Sequence, residues 1–472
     1  MGSRHAGSAA EIAAAVRDGR RSTVDVVDAA VARALASQSE INAFTFIDVD
    51  GARRRAEQID RLLADGVDVG PLAGVPVAVK DLIDQAGVPN TKGGSFPPTV
   101  PARSAPVVER LEAAGAVIIG RTGLHEFAFG YTSENEWFGP VRNPWDPALS
   151  PGGSSGGSGA AVAAGVVPVA IGTDTGGSVR VPAALCGVVG LKVSHGRVPL
   201  RGVYPLAASL DTVGPLTRTV EDAATVFRVI AGDDPEDPWS TPRPVEPPAG
   251  PVPLGGLRVG VPMAWMDVPT AAAVTTAFDR ALEALAGAGA VVSRLAAPEL
   301  ALDDAARTGA FVEVASVHRD RYLADPGRYG AAVASRIAEA IVTPADALVG
   351  AIRWRAGARH ALERIFAHVD VLVTPTVGAT RKLIGVDDID VDGVAVFHRT
   401  VLASYAAPIN GVGLPALALP LPGDADVPPA SLQLIGPMLA ETRVLQVAAA
   451  MERAGIVVVG EPPLWFGNGE RR

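Results

Sequence analysis

Lysine is rare in this chain and therefore draws attention where it occurs. Of the 41 basic residues only four are lysines, namely Lys80, Lys92, Lys192 and Lys382. The low count reflects a bias toward arginine, but arginine cannot release its proton in a protein, whereas a buried lysine can and then acts as a base. Lys80 ends an apolar, β-branched run at residues 71–80, which predicts a buried strand. The sequence thus offers a candidate neutral amine at this position.

Two loops rich in small residues carry serines that are candidate nucleophiles. They span residues 151–158 and 173–178 and include Ser154 and Ser178. Glycine clusters let a backbone approach a ligand closely and let successive N–H groups converge on one point. A serine hydroxyl attacks a carbonyl only when a base takes its proton and donors stabilise the oxyanion. Ser178 is the candidate nucleophile, and Lys80 is its candidate base, acting through an intervening hydroxyl such as that of Ser154.

The second loop also supplies candidate donors for an oxyanion. It forms a turn after a strand predicted at residues 166–171, so that several backbone N–H groups follow one another there. These belong to Thr175, Gly176, Gly177 and Ser178. The two loops together with Lys80 are therefore consistent with a serine hydrolase that uses no histidine.

Other interpretations of the loops fit the sequence less well. A phosphate-binding loop requires Gly-x4-Gly-Lys-Ser/Thr, and no lysine follows either loop. In a dinucleotide fingerprint that starts at Gly157, the third glycine position is occupied by Val162. Residues 152–156 spell Gly-x-Ser-x-Gly, but a nucleophile elbow needs a hydrophobic strand before it, and prolines precede this loop instead. A noncatalytic protein that holds an anion in a backbone nest stays open as an alternative.

Composition and charge exclude several classes of protein. The chain has 472 residues, a net charge of −10 and one cysteine, so it lacks the basic excess of a nucleic-acid binder and the cysteines of a disulfide scaffold. Its longest apolar run, residues 159–172, is too short to cross a membrane and contains Pro168. The first residues build no signal-peptide stretch. We expect a cytoplasmic protein with no membrane or direct nucleic-acid partner.

The order of predicted elements favours an α/β fold. Helices are predicted at residues 9–17, 23–36, 53–64, 105–114, 158–164, 272–285, 347–367 and 442–454. Strands are predicted at residues 71–80, 117–119, 166–171, 257–261, 291–295, 369–373 and 431–435. Alternation of this kind is typical of layered α/β proteins. Eight prolines between residues 232 and 257 indicate a surface loop or linker.

The motifs together resemble the amidase signature family. The resemblance rests on residues 79–81, 151–157 and 172–180, extends through 143–145, 186–192 and 209–222, and returns at 373–375, 413–415 and 432–436. It implies one large α/β/α domain over residues 1–472 with a mixed central sheet. Residues 70–222 would form the signature core, and residues 232–257 would be a loop inside the fold.

The resemblance also assigns roles to individual residues. It implies a Ser-Ser-Lys triad in which Ser178 forms an acyl-enzyme, Ser154 follows a cis peptide bond and relays the proton, and Lys80 is the ultimate base. Further residues are expected to hold the loops through hydrogen bonds or to border the substrate. The first group is Ser155, Asp174 and Arg180, and the second is Phe129, Gly130 and Tyr131. Packing alone is an equally good interpretation of the second group.

Two residues near these motifs are expected to be structural. Cys186 stands among Ala183, Leu185 and Val188, a setting typical of a buried apolar side chain rather than a nucleophile. Lys192 falls in a family motif in which Val193 replaces the proline of many members.

The seven histidines show no metal-ligand spacing, and neither a metal nor an organic cofactor is implied.

The activity implied by the resemblance is hydrolysis of the C–N bond of a small-molecule amide. The alternatives are the A subunit of glutamyl-tRNA(Gln) amidotransferase, which releases ammonia from glutamine, and a carbamate or urea hydrolase. Glutamine-using members hold the charged ends of their substrate with an acid and an arginine, and the acidic position falls here at Ala403. This departure favours a stand-alone amidase. Such an enzyme could form a homodimer.

Overall fold

A large mixed sheet organises the part of the chain that the computed structural model describes, namely residues 7–246, 250, 252–424 and 426–466. Its first strands are β1 (Phe44–Ile47), β2 (Pro76–Lys80), β3 (Val117–Thr122), β4 (Val169–Asp174), β5 (Val189–Lys192), β6 (Thr212–Thr217) and β7 (Arg258–Pro262). The later strands are β8 (Val291–Leu295), β9 (Val371–Pro375), β10 (Asp388–Val391), β11 (Val394–Phe397), β12 (Ala416–Pro420) and β13 (Ser431–Ile435). Eleven of them form one sheet in the order β1-β3-β2-β4-β6-β5-β12-β13-β9-β7-β8, and β10 pairs with β11.

Helices alternate with these strands along the described residues. The N-terminal helices are α1 (Ala9–Arg17), α2 (Thr23–Ile41), α3 (Val49–Ala64), α4 (Pro106–Ala113), α5 (Gly156–Ala163), α6 (Arg180–Cys186) and α7 (Val220–Ile230). The C-terminal helices are α8 (Ala272–Gly287), α9 (Asp304–Ala324), α10 (Ala331–Val342), α11 (Ala345–Phe366), α12 (His398–Ala403), α13 (Ala407–Val412) and α14 (Glu441–Arg453). None of them is long and apolar enough to span a bilayer.

The sheet is mixed and is covered on both faces. β2 runs parallel to β3 and β4, and β7 runs parallel to β8 and β9, whereas β12 is antiparallel to both of its neighbours, β5 and β13. Every residue of β2, β3, β4 and β6 is buried, which requires packing against both sides of the strand. The predicted α/β fold with a mixed central sheet is confirmed.

The topology brings the chemically interesting loops to one edge of the sheet. β2 ends at Lys80, and its parallel neighbour β4 ends at Asp174, so that both chains leave the sheet in the same direction. The loop after β4 contains Ser178, and the loop that carries Ser154 leads into α5. Ligand sites of α/β sheets form where the carboxyl ends of parallel strands meet.

Strand β4 differs from its prediction. It covers Val169–Asp174 rather than residues 166–171, because Thr173 and Asp174 continue the antiparallel ladder with β6, opposite Val213 and Thr212. Tertiary pairing therefore extends the strand into residues whose small and polar side chains predict a turn. The turn itself starts only after Asp174.

The proline-rich segment connects two strands of the same sheet. α7 ends at Ile230 and β7 begins at Arg258, and the described residues between them contain no helix or strand. Residues 247–249 and 251 of this segment lie outside the described residues, as do residues 1–6 at the start of the chain, where no signal-peptide stretch is expected. The assignment of residues 1–472 to one domain, with 70–222 as its core, stays a prediction. The sheet that passes through both halves supports it.

Three long helices cover the edge of the sheet at which the loops lie. α9 packs against α10 and α11, and all three contribute side chains to the cavity that contains Ser178. The sequence pattern predicts α11 but neither α9 nor α10.

Candidate active site

Lys80 lies in the buried interior with two hydroxyl partners. Its side chain is wholly buried, and Nζ donates hydrogen bonds to Ser154 Oγ at 2.7 Å and to Thr173 Oγ1 at 2.8 Å. Burial disfavours the ammonium form and lowers the pKa of Lys80 to about 7, although Asp174 and Asp211 oppose that shift. At neutral pH, Lys80 is therefore a neutral amine in a substantial fraction of the molecules.

The loop that carries Ser154 is held by its backbone. The peptide bond between Gly153 and Ser154 is cis, as the family resemblance implies. The Ser154 carbonyl accepts hydrogen bonds from the His125 N–H at 3.1 Å and from Ser133 Oγ at 3.2 Å. A Cβ atom added at Gly153 would come within 2.7 Å of the Thr132 backbone nitrogen, so this close approach requires glycine.

The turn that carries Ser178 lies beside this loop. The Ser155 N–H donates to the Ser178 carbonyl at 3.2 Å, which joins the two loops. The Gly177 N–H donates to Asp174 Oδ1 at 2.7 Å and so holds the turn. Of the four N–H groups expected to form an oxyanion hole, those of Thr175, Gly176, Gly177 and Ser178, the one of Gly177 thus already has an acceptor within the turn. The assignment of the oxyanion hole stays a prediction.

Asp174 anchors the turn to the rest of the protein. It accepts hydrogen bonds from Arg180 Nε and Nη2, each at 2.9 Å, and from Asn410 Nδ2 at 2.9 Å. Burial alone would raise the pKa of Asp174, but the Arg180 guanidinium holds it well below its usual range. Arg180 in turn bonds Asn410 Oδ1 at 2.6 Å and Gln433 Oε1. The Asp174 carboxylate is thus charged at neutral pH and paired with a buried arginine.

Ser155 ties the first loop to strand β4. Its Oγ donates a hydrogen bond to the Thr173 carbonyl and accepts one from the Thr173 N–H, each at 3.2 Å. Ser155, Asp174 and Arg180 thus lie beside the two loops and hold them through hydrogen bonds, as expected. Their roles in a reaction stay predictions.

A cavity of about 330 Å³ opens onto the turn. Its wall includes Ser178, Thr175 and Gly176, together with the three expected substrate neighbours Phe129, Gly130 and Tyr131. A Cβ atom at Gly176 would lie 2.7 Å from the Tyr131 hydroxyl, so that this hydroxyl stands directly over the turn. The structure therefore places all three expected pocket residues on the cavity wall. Their contact with a substrate stays a prediction.

Two polar residues of the site are not singled out by the sequence pattern. Thr173 is the second acceptor of Lys80, and Asp211 accepts a hydrogen bond from Thr175 Oγ1. Burial raises the pKa of Asp211 to about 6, against hydrogen bonds from Thr175 and from the N–H groups of Leu206 and Ala207. Both residues lie within motifs that carry the family resemblance. Those motifs are the signal in the sequence by which the two residues could have been found.

The remaining singled-out residues lie outside this arrangement. Cys186 is buried, its Sγ lies 3.4 Å from the Pro151 carbonyl, and burial raises the pKa of the thiol far above its usual value. Lys192 is buried at the end of β5 and donates to the carbonyls of Val193 at 2.9 Å and Leu414 at 2.8 Å. No group of three or more histidine, cysteine or acidic side chains suited to a metal ion occurs among the described residues.

Comparison with known proteins identifies the family. Residues 25–445 match the family model described as Amidase. The chain is 38% identical to AtzE, the 1-carboxybiuret hydrolase subunit of Pseudomonas sp. (strain ADP), over 94% of this chain and 98% of that protein. It is 37% identical to the A subunit of the glutamyl-tRNA(Gln) amidotransferase of Synechococcus sp. (strain RCC307), over 95% and 97% of the respective chains.

A solved structure extends the comparison to three dimensions. It is described as a vestigial protein complex that reveals the evolutionary origins of an s-triazine catabolic enzyme, and it matches with a TM-score of 0.88 at 36% identity, over 96% of this chain and all of that one. The protein therefore belongs to the amidase signature family. Membership makes it an amidohydrolase that acts on C–N bonds.

Proposed function

We propose that the protein hydrolyses the C–N bond of a small-molecule amide through an acyl-enzyme on Ser178. The observation that carries this proposal is the 2.7 Å contact between Lys80 Nζ and Ser154 Oγ in a fully buried setting, where the pKa of Lys80 is about 7. A neutral amine that contacts a hydroxyl can accept its proton, and the hydroxyl can then accept the proton of a second serine. General bases work best when their pKa lies near the working pH.

The proton and the acyl group then move in a balanced cycle. Ser178 Oγ attacks the amide carbonyl while its proton passes to Ser154, whose own proton passes to Lys80. The ammonium returns a proton through Ser154 to the departing nitrogen, the C–N bond breaks, and the acyl group stays on Ser178. Water attacks the ester along the same relay, which releases the carboxylic acid and restores both serines.

The turn after β4 is suited to the charge that develops in this cycle. A carbonyl oxygen bound beside Ser178 would face the N–H groups of Thr175, Gly176 and Ser178, and removal of one such donor typically costs about 3 kcal/mol of transition-state stabilisation. Asp174 contributes by holding the Gly177 N–H and thereby the shape of the turn. Its own charge is neutralised by Arg180.

The relatives favour two more specific activities. The relative from glutamyl-tRNA(Gln) amidotransferase suggests release of ammonia from glutamine, and the 1-carboxybiuret hydrolase relative suggests a urea-like substrate. Ala403 lines the cavity at the position where glutamine-using members carry an acid. An ammonium buried without a carboxylate is strongly disfavoured. We therefore favour an amidase or urea-type hydrolase over a glutaminase. Both relatives are subunits by name. With either activity, we therefore propose that the protein acts together with a protein partner.

A fluorophosphonate probe tests the nucleophile directly. We expect covalent labelling of the native protein at Ser178, located by peptide mass spectrometry, and no labelling of Ser178→Ala. The matched control is Ser431→Ala, which removes a buried hydroxyl of strand β13 and should label normally. If the native protein stays unlabelled and hydrolyses no amide, anilide, carbamate or glutamine, the noncatalytic anion-binding alternative replaces this proposal.

A further inference from the structure

Asp211 is a buried carboxylate that the proposed proton relay does not use. It is 5% exposed and lies behind the described lining of the cavity that contains Ser178. Burial raises the pKa of Asp211 to about 6, against three hydrogen bonds that favour its charged form. Because the burial of a carboxylate costs free energy, its hydrogen-bond partners indicate the role for which it is kept.

Strand pairing places Asp211 opposite Thr175. β4 and β6 are antiparallel, and their ladder ends with the pair Asp174 and Thr212. One step beyond this pair lie Thr175 and Asp211, and Thr175 Oγ1 donates a hydrogen bond to Asp211 Oδ1. A hydrogen bond to an ionised acceptor is about twice as strong as a neutral one. Asp211 therefore holds the first residue of the turn that carries Ser178.

The same carboxylate holds a second part of the cavity wall, the segment at residues 206–210. The Leu206 N–H donates to Asp211 Oδ2 at 2.9 Å, and the Ala207 N–H donates to the same oxygen at 3.2 Å. Leu206, Ala207 and Thr175 all line the cavity. One buried side chain thus joins the turn to this segment.

The charge of Asp211 also acts on Lys80. Burial lowers the pKa of Lys80 to about 7, and the charges of Asp174 and Asp211 oppose that shift. Asp174 is paired with Arg180, whereas no lysine or arginine in the described part of the chain forms an ion pair with Asp211. Removal of the Asp211 charge should therefore lower the pKa of Lys80 further.

Other charged groups stand on the elements packed against Asp211. Glu313 of α9 adds to the upward shift of the Asp211 pKa. Asp211 also borders a second cavity, of about 260 Å³, whose lining holds three further charged side chains, namely Arg201, Glu236 and Asp237. Each of these three has another partner among the described residues.

We propose that Asp211 is a positioning residue for the reaction on Ser178, because its carboxylate fixes Thr175, and with it the N–H groups of the turn, against the segment at residues 206–210. Its charge in addition makes Lys80 a stronger base. This inference rests on the proposed function, because it assigns a role at that same site. Asp211 itself does not contact the reacting atoms and transfers no proton.

The rate at which a fluorophosphonate labels Ser178 tests this role, since labelling requires the base and the turn but no knowledge of the substrate. In full-length Asp211→Asn we expect the rate at pH 8 to fall about 10- to 100-fold, because the donors of the turn lose their alignment. The midpoint of the pH profile should move down by about 0.5 to 1 pH unit, since the neutral form of Lys80 is favoured.

Asp222→Asn is the matched control. Asp222 is also buried, burial also raises its pKa to about 6, and its carboxylate also accepts hydrogen bonds from two successive N–H groups, those of Ala9 and Ala10. These partners lie at the start of α1, away from the site. We therefore expect the labelling rate of folded Asp222→Asn and its pH midpoint to be those of the native protein.

Thr175 provides a second test that does not depend on the folding of Asp211→Asn. Thr175→Val removes the hydroxyl that Asp211 accepts from and should lower the labelling rate about 10-fold. Thr175→Ser restores a hydroxyl and should recover most of that loss. In the double variant Thr175→Val/Asp211→Asn the two losses should not add, because both single variants break the same contact.

The outcomes separate this inference from the proposed function. If Asp211→Asn labels at the native rate, or if it loses rate while the midpoint stays where it is in the native protein, Asp211 is not a positioning residue, and the acyl-enzyme proposal stands. The same follows if Thr175→Val labels like the native protein or if Asp222→Asn shows an equal loss. If Ser178 of the native protein is never labelled, the proposed function is wrong and this inference fails with it.

Discussion

Two lysines of this protein have almost the same environment and different neighbours. Lys80 ends strand β2 and Lys192 ends strand β5, and both side chains are wholly buried. Burial is the largest cause of the shift at each, and it lowers the pKa of both to about 7. By burial and pKa alone, either lysine would qualify as a general base.

Their hydrogen-bond partners separate them. Lys80 contacts the hydroxyls of Ser154 and Thr173, whereas Lys192 contacts the backbone carbonyls of Val193 and Leu414. A hydroxyl can give up a proton to a neutral amine, and a carbonyl has none to give. The comparison teaches that a lowered pKa marks a proton acceptor only where a proton donor is in contact with it.

The largest expected difference is in activity. We expect Lys80→Met to reduce kcat/KM at least about 10³-fold, because it removes the proposed base while the apolar stem is kept. The matched variant Lys192→Met should keep activity within about 10-fold per folded molecule, since it removes only a donor to two carbonyls. Steady-state kinetics on protein shown to be folded by circular dichroism decide this. Comparable losses in both variants would show that the two lysines do not differ in function.

The pH dependence of catalysis gives the next largest effect. In the proposed mechanism Lys80 is a base in its neutral form, so kcat/KM should rise about 10-fold per pH unit below its pKa of about 7 and level off above it. Lys192→Arg cannot lose its proton at this position and should show the same profile. A profile that is flat between pH 5.5 and 8.5 would mean that Lys80 is not the titrating base.

The smallest expected effect concerns stability, and here the two lysines should agree. Each has a pKa lowered from 10.5 to about 7 on folding, so between those pH values the unfolded chain holds a proton that the folded protein lacks. The free energy of unfolding should then rise with pH by about 1.4 kcal/mol per unit for each lysine, until the pH exceeds the unfolded pKa.

Urea unfolding between pH 7.5 and 9.5 measures that slope. Lys80→Met and Lys192→Met should each lower it by about 1.4 kcal/mol per pH unit relative to the native protein, although only the first abolishes activity. A slope unchanged by either substitution would show that the corresponding lysine stays charged in the folded state.

The sequence predicts the elements whose signals are local. α1 begins and ends at its predicted residues, since Ser8 and Glu11 form a capping box ahead of a regular apolar pattern. β8 and β13 also match their predicted bounds. The sequence pattern predicts none of β1, β5, β6, β10, β11 and β12. Of these, β5, β6 and β12 are short and fully buried and show no alternation of apolar and polar residues.

The candidate site divides in the same way. Lys80, Ser154 and Ser178 stand in compact motifs, so their types and spacing are visible in the chain itself. Arg336 and Arg399 reach the cavity from distant helices, and only the tertiary fold shows that they face it. The same holds for the hydrogen bonds from Asn410 and Gln433 to Arg180, which join residues more than two hundred positions apart.

The place of β12 and β13 in the sheet has a consequence for biosynthesis. These late strands lie between β5 and β9, in the middle of the sheet. Gln433 on β13 accepts a hydrogen bond from Arg180, which pairs with Asp174 at the start of the turn that carries Ser178. The ribosome must therefore have released β12 and β13 before the middle of the sheet can assemble. A product truncated before β13 would keep Lys80, Ser154 and Ser178, but it would lack the hydrogen bond between Gln433 and Arg180, and under the proposed function we expect it to be inactive.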